Sequence, residues 1–207
     1  MNVQNPVIRK GRKFDQVLQG AREVFLAEGF DAANMDHVAK VSGVSKATVY
    51  SYFPDKEHLF LVVMETECLS QADQAMQMID ESAPPLVVLT EAARYMLGFM
   101  TSDFGQRMLR MSIVATERFP ELGQAFYDSG PKMVHVKMTP YFEAAIERGE
   151  LVVPDIPLAI DQFSELCKAE VFPKLLFQVQ TKFTQAELDR LIESAVETFL
   201  ARYGVEC

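Results

Sequence analysis

Asn34-Met35-Asp36-His37-Val38-Ala39-Lys40-Val41-Ser42-Gly43-Val44-Ser45-Lys46-Ala47-Thr48-Val49-Tyr50-Ser51-Tyr52-Phe53 reads as two short helices joined by a tight turn. Asn34 is a good N-cap, because its short side chain can accept a hydrogen bond from an otherwise orphaned helical N–H. Met35, Val38 and Ala39 then fall on one helical face, and the small Ala39 lies where two helices must approach closely. Gly43 supplies the turn by adopting a positive φ without steric penalty, and Val44 plugs the turn into the core. Ser45 caps the second helix, while Val49 and Tyr52 are spaced to pack it back onto the first. Pro54 cannot continue a helix and disfavours helical geometry at Phe53, so the second helix stops there.

Lys46, Ala47, Thr48, Tyr50 and Ser51 are left facing outward. Lysine and threonine can bond base edges or phosphates, alanine can touch a thymine methyl, and tyrosine hydroxyls reach phosphates. This is the build of a helix-turn-helix that lays its second helix in the DNA major groove. The plainer alternative is a helical hairpin with a solvated polar face, and the spacing of Ala39, Gly43 and Val49 alone does not separate the two. The flanks favour the first. Upstream, Phe14, Val17, Leu18, Ala21, Val24 and Phe25 recur at steps of three and four, predicting an amphipathic helix that ends at Gly29. Arg9, Lys10, Arg12 and Lys13 precede it and suit phosphates beside the groove. Downstream, Asp55 caps a long helix that begins with Lys56, and a helix N-terminus beside a lysine is a ready phosphate site.

The run from Gly29 to Phe60 resembles the DNA-binding domain of TetR/AcrR-type transcriptional regulators. That family's pattern is roughly G-V-S-x-x-T-x-Y-x-[HY]-F-x-x-K-x-x-L, and Gly43, Val44, Ser45, Thr48, Tyr50, Tyr52, Phe53, Lys56 and Leu59 match it. Ala47 departs from it, since glycine is frequent there. The resemblance implies that Thr48, Tyr50, Tyr52 and Lys56 contact operator DNA, with Lys46 and Ala47 nearest the bases; Asn34 and Ser45 complete the candidate DNA-contact set. It also implies an all-α fold of about nine helices: a three-helix helix-turn-helix domain over residues 1–54 and a helical ligand-binding and dimerisation domain over 55–207.

The 207 residues carry a net charge of −9, which looks wrong for a DNA binder until it is split. Residues 1–60 have a net of +1 and residues 61–207 a net of −10. DNA contact is therefore expected only in the first part, through a few placed phosphate contacts and two copies of the chain. No apolar run approaches the ~18–20 residues of a membrane span, and no signal-peptide pattern opens the chain. Neither a membrane partner nor export is expected, and a cytoplasmic location follows. Cys68, Cys167 and Cys207 lack metal-ligand spacing, and reduced thiols are the expectation.

Beyond Phe60 the pattern stays helical. The helix from Asp55 continues through Leu59, Val62, Val63, Leu69, Ala72, Met76 and Ile79 to a stop before Pro84-Pro85. Further helices are expected over 86–101, 103–118, 120–148 and 156–178. The third should break or kink at Gly130, Pro131 or Pro140 and the fourth at Pro173, with Leu151–Pro154 a loop. Thr184-Gln185-Ala186-Glu187 is a capping box opening the last helix, which carries Leu188, Leu191, Ile192, Ala195, Phe199 and Leu200 in a stripe. The stripe serves either internal packing or self-association. The last two helices resemble the pair through which this family forms homodimers, and a dimer would present two reading helices to two half-sites.

The middle of the chain is rich in methionine and phenylalanine, a composition that suits either an ordinary core or a pocket for apolar or amphipathic small molecules. The resemblance implies the pocket, with Met96, Phe99, Met100, Met108, Met111, Phe126, Phe163 and Cys167 as candidate lining. Thr116 to Leu122, followed by Phe126-Tyr127, resembles an AcrR-type C-terminal subgroup. An enzyme is not expected: His37, His58 and His135 are scattered, and no phosphate-cradling glycine loop, H-E-x-x-H or G-x-S-x-G occurs. No catalytic residue, metal ligand or cofactor is assigned. A regulator answering to a protein partner or to thiol oxidation remains the alternative to a small-ligand sensor.

Overall fold

The computed structural model describes residues 11–78, 82–117 and 119–205. Arg9 and Lys10 of the basic arm, Ile79, Arg118 and Cys207 lie outside the described residues, as do the side chains of Cys68, Ala72 and Met76. Eleven helices make up the described fold: α1 (Arg12–Ala32), α2 (Met35–Val41), α3 (Lys46–Tyr52), α4 (Lys56–Met78), α5 (Pro85–Thr101), α6 (Asp103–Thr116), α7 (Pro120–Ser129), α8 (Pro131–Glu147), α9 (Ile156–Lys168), α10 (Val171–Leu176) and α11 (Gln185–Tyr203). None is long and apolar enough to cross a membrane among the described residues.

The count exceeds nine because two expected helices are divided. The break in 120–148 falls at Gly130, and Pro131 opens α8 at a position whose N–H has no helical partner anyway. Pro140 causes no division; α8 runs through it with the proline on the exposed side. The stretch 156–178 divides at Ala169 and Glu170, which puts Pro173 in the first turn of α10, where its missing N–H leaves no bond unmade.

The chain forms two compact units. One holds residues up to Glu67 together with Met111–Phe126, and the other holds 68–110 and 127–205. In the first unit the inward face of α1, Phe14, Val17, Ala21, Val24 and Phe25, is buried as its period requires. Phe60 of α4 meets Phe25 and Phe30 with ring centroids 5.1 Å away in each case, and Phe119 reaches Phe30 at 5.9 Å. Leu59, Val63, Met64 and Leu122 are fully enclosed, and Ser112 Oγ donates to Met64 Sδ at 3.4 Å. The unit therefore extends past Pro54, because the first turns of α4 and the segment 111–126 supply apolar surface that α1–α3 require.

In the second unit Phe199 of α11 is the hub, with Phe142 at 5.8 Å, Phe163 at 5.3 Å and Tyr203 at 4.8 Å. Leu191, Ile192, Ala195 and Phe199 all face this core, so the stripe on the last helix packs inside its own chain. Leu151 differs from the expected free loop. Its side chain enters the core, and its backbone pairs with Gly204, Val152 N–H donating to Tyr203 O at 2.8 Å and Val205 N–H to Glu150 O at 3.1 Å. The Thr184/Glu187 capping box is fully formed.

Two expectations follow. Phe60→Ala removes a fully buried ring with two aromatic partners, so urea unfolding should show a loss of about 3–5 kcal/mol; a loss under about 1 kcal/mol would contradict this packing. Bonding from the Thr184 N–H, then Gln180 and the Thr184 hydroxyl, holds the Glu187 carboxyl below its ordinary value. A depressed acid stabilises above its unfolded pKa and loses that contribution as pH falls through the folded value. The acid limb of a pH–melting curve should therefore be shallower in Glu187→Gln than in the parent chain.

Candidate nucleic-acid interface

The local chemistry of the helix-turn-helix is made as its sequence requires. Asn34 Oδ1 accepts from the His37 N–H at 2.8 Å, and Ser45 Oγ from the Thr48 N–H at 3.1 Å. Gly43 has φ +65°; its N–H reaches Lys40 O at 3.2 Å while the Val44 N–H reaches Ala39 O at 3.1 Å. That pair of bonds is the Schellman arrangement, which satisfies the last carbonyls of α2 and turns the chain sharply into α3.

α3 has only seven residues and one fully buried side chain, Val49. Ser45, Lys46, Ala47, Tyr50 and Ser51 are exposed and Thr48 is half-buried, so the outward face matches the expected one. Tyr50 stands 51% exposed. Thr48 Oγ1 lies 2.8 Å from Ser45 Oγ, which fixes both hydroxyls at the start of the helix. Phe53, just past α3, stacks on Phe14 of α1 at 5.5 Å, and Tyr52 meets the same ring edge-on at 5.6 Å.

Two residues of the DNA-contact set carry structural duties. Tyr52 is half-buried against α1 and anchors α3. Lys56 is half-buried as well: its Nζ donates to Asp31 O at 3.1 Å and lies 4.7 Å over the Phe30 ring. The amine thus ties the start of α4 to the end of α1, where it also sits beside a helix N-terminus. That N-terminus is capped by Asp55, whose Oδ1 accepts from the His58 N–H at 2.8 Å. Burial pushes the Asp55 carboxyl up, but the bonds and charge of His58 outweigh it and hold the group below its ordinary value.

Asp36 is a residue the sequence reading missed. Its carboxylate pairs with Lys46 Nζ at 2.5 Å, both groups being exposed. An exposed pair contributes little stability, yet it leaves the Lys46 amine already engaged by a carboxylate. Ten residues separate the two, and no local pattern marks them. His37 Nδ1 similarly lies on Glu28 Oε1 at 2.5 Å.

The candidate pocket residues divide between the units. Met96, Phe99, Met100, Met108, Phe163 and Cys167 belong to the second unit, whereas Met111 and Phe126 bound the 111–126 segment of the first. Phe163 and Cys167 are core residues, and Met96 and Met100 pack against that core half-buried. Phe99 meets Phe104 at 6.1 Å, and Met108 is buried. Burial pushes the Cys167 thiol up to about 12, so it stays protonated.

Residues 17–63 match the family model for the tetR family of bacterial regulatory proteins, and residues 87–205 match that for the C-terminal domain of AefR-like transcriptional repressors. The second match alone spans more than half of the chain. The chain belongs to the TetR family of transcriptional regulators. This TetR-family chain is thus a DNA-binding regulator and not an enzyme. A TetR-family regulator from Mesorhizobium loti superposes with a TM-score of 0.88 at 28% identity, over 95% of this chain and 99% of that one. The flavonoid-responsive regulator FrrA superposes at 0.79 with 31% identity, over 96% and 100%. The uncharacterised HTH-type regulator YhgD of Bacillus subtilis is 39% identical over 64 residues, 30% of this chain and 34% of that protein. The first curated relatives are all matched over well under two-thirds of their own lengths.

Tyr50→Ala should weaken binding to a duplex selected by the parent chain from a randomised pool by more than tenfold. Unfolding free energy should change by no more than about 0.5 kcal/mol, as for an exposed position. Lys56→Ala should lower affinity and stability together, because its amine serves both. Unchanged anisotropy titrations in both variants would remove the assignment of this face.

Proposed function

We propose that this TetR-family regulator is a cytoplasmic repressor that binds a palindromic operator as a homodimer and is released by a small aromatic, largely apolar molecule. The functional division falls near Pro54: residues 1–54 read DNA, and 55–207 respond to the ligand and pair the subunits. The observation that carries the ligand is the 31% identity to a flavonoid-responsive regulator across 96% of the chain. The residues suit such a molecule: thioether and ring side chains at Met96, Phe99, Met100 and Met108 offer polarisable, adaptable contacts to a flat ring system. Phe163 and Cys167 supply the apolar floor. Repression is supported by the AefR-like repressor model over residues 87–205.

Pairing is supported by the reading head itself. A seven-residue helix with one short exposed face touches few base pairs, and two heads are needed for a site of useful specificity. With the α11 stripe facing inward, the pairing surface in this reading is the outward face of the last helices, where Leu158 and Glu165 on α9 and Glu193 and Ala201 on α11 are exposed. Ligand binding acts through α4, which begins in the first unit and ends in the second. Respacing the two heads lowers operator affinity. A tenfold release requires the ligand to prefer the released state by about 1.4 kcal/mol, and a switch from 99:1 to 1:99 requires about 5.5 kcal/mol. Thiol oxidation at Cys167 is disfavoured, because the reactive form is the thiolate and this thiol is kept protonated and enclosed.

Titration of the complex with a flavonoid series should release the selected duplex in a saturable way, while hydrogen peroxide leaves its affinity within twofold. Sedimentation should give a dimer at micromolar concentration. Release by peroxide but by no flavonoid would overturn the ligand reading, and a monomer would overturn the pairing.

A further inference from the structure

The contact between Gly20 and Ser42 stands apart from the rest of the head. Gly20 lies buried in the middle of α1, where glycine is a poor choice for helix stability. A Cβ at that position would lie 2.2 Å from Ser42 Oγ, 2.8 Å from Ser42 N and 3.0 Å from Ser42 Cα. Real Cβ atoms do not approach backbone or hydroxyl atoms so closely, and the end of α2 would have to move. Ser42 is itself only 9% exposed, and its Oγ has no hydrogen-bond partner. A buried, unbonded hydroxyl is unfavourable. Both features therefore work against stability, and both occur at one point of contact.

That point adjoins the turn. Ser42 is the C-cap of α2, Gly43 carries the positive φ, and α3 begins at Lys46. The far end of α3 is held separately, through Phe53 and Tyr52 on Phe14. Phe14 and Gly20 are six residues apart on α1, about 9 Å along its axis at 1.5 Å per residue. The recognition helix therefore rests on α1 at two places, one aromatic and one a backbone-to-backbone approach.

We propose that Gly20 and Ser42 are a matched positioning pair that sets the inclination of α3 on DNA. They touch no base. They fix the level at which the turn sits on α1, and hence the angle at which Lys46, Ala47 and Tyr50 meet the groove. Sequence-specific binding depends on that angle, whereas general attraction to phosphates does not.

The test uses the full chain, a duplex that the parent chain enriches from a randomised pool, and a random duplex of equal length. Gly20→Ala should bind the selected duplex at least tenfold more weakly, with binding to the random duplex changed less than twofold at low salt. A purely structural role predicts instead a lower melting temperature with both duplexes weakened alike, because the added methyl overpacks the contact. Ser42→Ala alone removes the unbonded hydroxyl and should melt at a higher temperature. The double variant Gly20→Ala/Ser42→Ala removes the 2.2 Å collision with Oγ but leaves the 2.8 Å approach to Ser42 N, so it should recover part of the lost affinity. If Gly20→Ala fails to fold, the double variant must restore both folding and binding. Gly20→Ala affinity within twofold of the parent, or a double variant no better than Gly20→Ala, would overturn the proposal. Failure to enrich any duplex would instead count against DNA reading by this chain.

Discussion

A seven-residue helix is not stable by itself: nucleation is unfavourable, and isolated helices shorter than about 12–15 residues are marginal in water. α3 exists because α1 offers it a surface. Val49 is buried against the head's core, Phe53 stacks on Phe14, Tyr52 meets the same ring edge-on, and the turn sits directly on Gly20. Every outward residue of α3 inherits its position from those contacts. This constraint also explains why the first unit draws in Phe60 and Phe119: one long helix and two seven-residue ones enclose too little apolar surface, and the phenylalanine cluster around Phe30 completes it.

Charge shapes the rest of the behaviour. The head carries almost no net positive charge, and some of its cations are already engaged, Lys46 with Asp36 and Lys56 with the Asp31 carbonyl. Weak general attraction to phosphates leaves discrimination to geometry. The remainder is strongly acidic, with a net of −10 over residues 61–207, a charge that repels phosphate.

Local chemistry was legible in the sequence. Asn34, Ser45, Asp55 and Thr184 each accept the N–H bond that their positions announce, because capping needs only residues three apart. Gly43 and the outward face of α3 were legible for the same reason. Relationships through space were not. Periodicity marked Leu191, Ile192, Ala195 and Phe199 as one stripe but could not say whether it met another chain or its own core. Lys56 looks like a surface contact until α1 is placed beside it. The methionines and phenylalanines of the middle segment read as one group, yet Met111 and Phe126 belong to a different unit from Met96 and Phe163. Pro140 sits on the exposed side of α8, where its missing bond is tolerated.

Amide hydrogen exchange of the chain with and without its selected duplex addresses the DNA-reading face most directly. Protection should concentrate at the start of α2, across Ser45–Ser51 and at the first turn of α4, with the outward face of α11 unchanged. Protection confined to the second unit, with Ser45–Ser51 exchanging as in the free chain, would contradict it.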